Sequence, residues 1–136
     1  MNRRVVLIVL GVAFAFAALL VAGATTLVLS VFSMIDRTPA HVCGLAMVRR
    51  SPAAVRLVGQ PIVQKGFTGG QTSQENGELK ERVTFNVSGP QGEAFVLSEG
   101  SRSPLSSQLT VTIGRDQRSE TVYSGPFDCP ELHLQR

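Results

Sequence analysis

The sequence predicts an α+β protein: an N-terminal transmembrane helix, then two short helices packed on a small antiparallel meander sheet of four to five strands. Three observations lead there. Residues 5 to 35 carry no charged side chain. Two hydroxyl–proline pairs, Thr38-Pro39 and Ser51-Pro52, carry helix-start chemistry soon after that stretch. Beyond Pro61 the apolar period changes to two. A sheet with one apolar face needs cover, and helices placed before a run of strands supply it.

The front of the chain separates from the rest by charge. Thirteen Lys and Arg against ten Asp and Glu give a formal +3 over 136 residues. Arg3 and Arg4 supply two of those positives, and the part after residue 35 is nearly neutral. The pI of about 9.4 is therefore no nucleic-acid signature. What remains, about 100 residues, is one small domain, which excludes a large multi-domain enzyme.

A hydrocarbon core of roughly 30 Å is spanned by about 20 apolar helical residues, and residues 5 to 24 supply them. Two readings compete. A cleaved signal peptide would use Ala22-Gly23-Ala24 as its small-residue cleavage site. However, the apolar run before that site exceeds the roughly 7 to 15 residues usual for such a peptide. Leu27, Val28, Leu29, Val31, Phe32 and Ile35 also continue it past the cut. An uncleaved signal anchor with its extension, residues 1–35, is the stronger reading. Arg3 and Arg4 lie on one side of it and Arg37, Arg49 and Arg50 on the other, so the positive-inside count is nearly tied. The two arginines directly against the apolar run favour an N-terminus inside and the domain outside. Gly11, Ala15, Ala18 and Ala22 place small residues on one helix face, where another helix could approach closely. Plain composition of an Ala-rich span gives the same pattern.

The domain is expected over residues 36–125. Its first helix runs from Pro39 to about Arg50, with Leu45, Val48 and His41 or Val42 as its buried stripe. A second begins at Ser51-Pro52 and ends at Gly59, with Pro61 preventing continuation. Residues 62 to 67 form a first strand and residues 69 to 77, rich in Gly, Ser, Gln and Asn, a flexible connection. Val83, Phe85 and Val87 alternate with Arg82, Thr84 and Asn86 as a half-buried strand. Ser88-Gly89-Pro90-Gln91-Gly92 turns the chain into a returning strand from Ala94 to Leu97. Residues 100 to 107 are a loop. Leu109, Val111 and Ile113 mark the next strand, Thr121 to Tyr123 add an edge, and residues 126–136 read as a C-terminal tail.

Two of these segments resemble a known family. The run Ser51-Pro52-Ala53-Ala54-Val55-Arg56-Leu57-Val58-Gly59-Gln60-Pro61-Ile62 is similar to the segment opening the domain of the cytochrome oxidase complex assembly protein 1 family. The block Val87-Ser88-Gly89-Pro90-Gln91-Gly92-Glu93-Ala94 resembles that family's central hairpin turn. The resemblance covers roughly residues 30 to 123. It implies an inner-membrane factor helping to assemble the haem–copper terminal oxidase, cytochrome c oxidase, by binding its subunits or other assembly factors. The small domain also resembles that of a subunit of the mitochondrial presequence translocase. An accessory structural or docking subunit of a respiratory or translocation complex is therefore the alternative, and a lipid-binding or secreted domain a third reading. No catalytic residues come with the resemblance.

The residues themselves point the same way. His41 and His133 are the only histidines, and neither has the partners or spacing of a zinc or haem-attachment site. A lone surface or half-buried histidine is the expected state. Gly66, Gly69 and Gly70 lack the lysine and following helix of a phosphate-binding loop. No enzyme, cofactor, metal, nucleic acid or small-molecule substrate is expected; the partners are the membrane and a membrane protein. Cys43 and Cys129 are an even pair, for which one disulfide on the oxidising side of a membrane and two free thiols fit equally. A copper role would fit the oxidase theme of the resemblance, but the pair lacks the usual close spacing. Residues 36 to 60 hold Arg37, Arg49, Arg50 and Arg56 against Asp36, whereas residues 61 to 136 hold seven basic and nine acidic side chains. Arg49, Arg50 and Arg56 are thus the candidate contacts for anionic headgroups or an acidic partner; a merely solvated helix face fits as well.

Overall fold

The computed structural model describes residues 3–35 and 37–134, with side chains described for residues 6–30 and 37–134. The Arg3 and Arg4 side chains, those of residues 31 to 35, Asp36 and the last two residues of the expected tail lie outside that set. The chain forms two compact units, Met1–Met34 and Ile35–Arg136.

The first unit is the helix α1, Arg3–Ile35. Within it Val6–Ser30 is long and apolar enough to cross a membrane. Its polar side chains bond internally: the hydroxyls of Thr26 and Ser30 donate to the carbonyls of Ala22 and Thr26, one turn back, at 2.8 Å each. Gly11, Ala15, Ala18 and Ala22 are all exposed.

The second unit carries α2 (Pro39–Arg50), α3 (Pro52–Val58), five strands and a short α4 (Pro130–His133). The strands β1 (Val63–Glu75), β2 (Glu78–Gly89), β3 (Gly92–Arg102), β4 (Ser107–Arg115) and β5 (Arg118–Pro126) pair antiparallel in simple sequence order. Helices lie against one face. Val83, Phe85 and Val87 of β2, Val96 of β3, and Leu109, Val111 and Ile113 of β4 point into the core at 2% exposure or less. The alternation seen in the sequence therefore sets which face is covered.

α3 begins and ends as its residues dictate. Ser51 accepts the N–H of Ala54 at its cap, and Gly59 closes the helix with a φ of 79° that favours glycine. The following Gln60–Pro61 peptide is cis.

The structure differs from the sequence reading in four places. Residues 69 to 75 are not a flexible connection but the distal half of β1, paired residue for residue with β2 from Gly69↔Thr84 to Glu75↔Glu78. The signal was the Asn76-Gly77 pair, whose φ values of 52° and 79° suit a two-residue hairpin turn. Its polar composition hid the strand, because neither face of residues 69 to 77 is buried and no alternation is required of it. Likewise Gly100 to Arg102 extend β3, and the loop is short. Third, α2 buries Ala40, His41, Cys43, Gly44, Ala46 and Val48, with Leu45 only half-buried. Small residues face the sheet because α2 lies close to it: a Cβ on Gly44 would sit 2.6 Å from Ser98 Oγ. Fourth, the segment after Gly125 sends Phe127 and Cys129 into the core, and Cys129 is joined to Cys43 of α2, with Cα atoms 5.7 Å apart.

Candidate functional site

The two segments singled out in the sequence, residues 51–62 and 87–94, meet in space. The β2–β3 turn packs on the last turn of α3: Gln91 N–H donates to Val58 O at 2.9 Å. The contact is too close for any side chain at the turn's glycine, since a Cβ on Gly89 would lie 2.3 Å from Val58 O. Residues that read separately as cap and turn chemistry thus form one corner.

Arg115, at the end of β4, ties that corner to a third element. Its guanidinium donates to Leu57 O at 3.1 Å and to Gln91 O at 3.0 Å. It also occupies the space over Gly92, where a Cβ would meet it at 2.9 Å. Carbonyls at a helix C-terminus carry partial negative charge, which a fixed cation offsets. Arg56 and Arg118 stand beside Arg115 around a shallow depression that also includes Leu57, Gln91 and Asp116. Arg56 and Arg118 are exposed. Three guanidinium groups against one carboxylate make the rim net positive, suited to carboxylate or phosphate oxygens. Arg115 and Arg118 were not singled out from the sequence. They flank the tight β4–β5 turn, where Asp116 and Gln117 both take positive φ, and only tertiary packing brings that turn to α3.

The structure does not bring the three candidate arginines to one place. Arg49 Nε donates to Ile62 O at 3.2 Å, holding α2 to the chain entering β1. Arg50 is ion-paired with Glu131 of α4. Arg56 alone of the three belongs to the rim around Arg115. Arg49 and Arg50 instead line a separate depression with His41, Val42, Leu45, Glu131 and Leu134.

His41 is buried, at 4% exposure, as one of the two choices for the α2 stripe had it, and is neither at the surface nor half-buried. Its ring stands edge-on to Phe85, centroids 4.9 Å apart, and Nε2 lies 2.9 Å from Gln64 Oε1. Gln64 in turn donates to Thr68 Oγ1 at 2.8 Å. This chain satisfies buried polar groups between α2 and β1, the ordinary work of a core histidine. Among the described residues no three His, Cys, Asp or Glu side chains lie close enough together to hold a metal ion.

Against known proteins, a family model described as cytochrome oxidase complex assembly protein 1 matches residues 13–118. That span includes most of α1, the helices α2 and α3, and the sheet up to the start of β5. No curated protein and no solved structure matches the chain.

Proposed function

Because this chain belongs to the cytochrome oxidase complex assembly protein 1 family, a role in cytochrome oxidase assembly follows, and we propose how it is carried out. The protein is a non-enzymatic factor anchored by α1, its N-terminus cytoplasmic and its domain periplasmic. It binds subunits of the haem–copper oxidase, or other assembly factors, during their maturation. The observation that carries the contact is the corner itself. Both segments that resemble the family converge there, and Arg56, Arg115 and Arg118 give it a positive rim. An acidic surface on the partner is the complement of that rim. The Cys43–Cys129 link suits an oxidising compartment such as the periplasm.

Purifying the tagged full-length protein in mild detergent, with co-purifying proteins identified by mass spectrometry, tests the assignment. Oxidase subunits or haem- and copper-insertion factors at substoichiometric levels support a helper. Stoichiometric oxidase subunits indicate an accessory subunit instead. Reproducible recovery of neither overturns the oxidase reading.

A further inference from the structure

The sheet ends in two free edges, and they are built differently. β5 is blunted: it carries Arg118 and Glu120, loses register between Val111 and Thr112 of its neighbour, and stops at Pro126. Charge, irregularity and proline are the usual means of keeping a strand edge from pairing with another chain. The distal part of β1 has none of them. From Gly69 to Gln74 it has no proline and no charge, its pairing with β2 is regular, and its side chains are exposed.

The backbone parity of this stretch follows from its turn. A two-residue loop at Asn76-Gly77 makes Glu75 and Glu78 a hydrogen-bonded pair. Ser73, Gln71 and Gly69 are then the other residues bonded to β2, while Gln74, Thr72 and Gly70 aim their N–H and C=O groups away from the sheet. Among the described residues no hydrogen bond from elsewhere reaches those outward groups.

We infer that residues 69 to 75 of β1 form a self-association surface, pairing antiparallel with the same strand of a second copy about a two-fold axis at Thr72. The pattern is complementary to itself. Thr72 faces the partner copy's own Thr72, and Gly70 faces Gln74 in both directions, so each outward donor meets an outward acceptor. Glu75, the one charge in the stretch, falls opposite Gly69, so no charge meets a like charge. Two five-stranded sheets become one continuous sheet, and a closed two-fold contact leaves no copy of this edge to recruit a third chain.

The test uses the full-length protein in mild detergent, with mass measured by light scattering after size exclusion. The expected mass is that of two chains, falling to one in Thr72→Pro, which removes an outward N–H without touching the ladder to β2. Thr72→Cys should form an inter-copy disulfide on mild oxidation, because directly opposed residues bring Cα atoms to about 5.5 Å. Ser106→Cys, on the loop between β3 and β4, should not. A single-chain mass for the parent protein, a dimer that survives Thr72→Pro, or equal cross-linking at Ser106→Cys overturns the inference. If Thr72→Pro loses its fold by circular dichroism, Thr72→Lys decides: it sets two ammonium groups across the axis and must return the mass to one chain.

Discussion

The carboxylate of Glu81, buried on β2, accepts the backbone N–H of Ala40 at 3.2 Å. It thereby caps α2 from a strand that lies forty-one residues later. Thr38 occupies the N-cap position, but its hydroxyl makes no capping bond. A carboxylate at a helix N-terminus offsets the partial positive charge of the unpaired N–H groups. Arg102 Nη2 donates to the other oxygen of Glu81 at 3.2 Å, and the guanidinium carbon Cζ lies 4.8 Å from the centroid of the Phe127 ring. Ser98 completes the junction by donating to Ala40 O at 2.7 Å.

Glu81→Ala is expected to lower domain stability by about 2 to 3 kcal/mol, the range for a lost cap and a hydrogen bond to a charged group. Glu81→Gln should cost less, since the amide oxygen still accepts the Ala40 N–H. Thermal unfolding of the two variants, compared with the parent protein, reads the difference. Equal losses would mean that the Arg102 contact, and not the cap, carries the stabilisation.

Gly44→Ala should destabilise despite the better helix propensity of alanine, worth about 1 kcal/mol. The new methyl would meet Ser98 Oγ at 2.6 Å and Ser98 Cβ at 2.8 Å, and overpacking of this kind costs about 1 to 3 kcal/mol. Ser98→Gly in the same chain removes both atoms and should recover part of the loss. A double-mutant cycle measures that coupling.

The Cys43–Cys129 link spans 86 residues of sequence. Loop entropy alone gives such a cross-link about 4 to 5 kcal/mol at most. Reduction should therefore lower the unfolding temperature substantially and expose the segment after Gly125 to protease. Both cysteines are at 1% exposure or less, so the reduction itself should be slow under native conditions. Rapid reduction with no change in unfolding temperature would contradict this account.

Arginines around the corner should separate by role. Arg115→Ala removes the donor to Leu57 O and Gln91 O, and should cost about 1 to 3 kcal/mol of stability. Arg56→Glu with Arg118→Glu should change stability by roughly 0.5 kcal/mol or less, as exposed sites do, while weakening capture of oxidase subunits or other assembly factors. Capture that is unchanged in the double variant would remove the corner from the contact surface.

Much of the architecture is legible in the residues. An uncharged run of this length forms α1, because backbone groups in such a segment satisfy one another in a helix. Ser51-Pro52 and Gly59 set the ends of α3 through local capping. Alternation at Val83, Phe85 and Val87, and at Leu109, Val111 and Ile113, places β2 and β4 with their apolar faces under the helices. These are local effects, decided within a few residues of chain. Where neither face is buried, as in residues 69 to 75, the period-two signal vanishes, and only pairing with β2 makes a strand of a polar segment. Tertiary structure alone supplies Glu81 as the cap of α2 and sets Arg49 and Arg50 apart from Arg56. It also carries Arg115 and Arg118 to the end of α3. Each of those contacts joins residues far apart in sequence, and their closeness depends on how the whole sheet is wound. The order of residues along the chain determines the elements and their apolar faces; the closing of the sheet under α2 and α3 decides which charges meet.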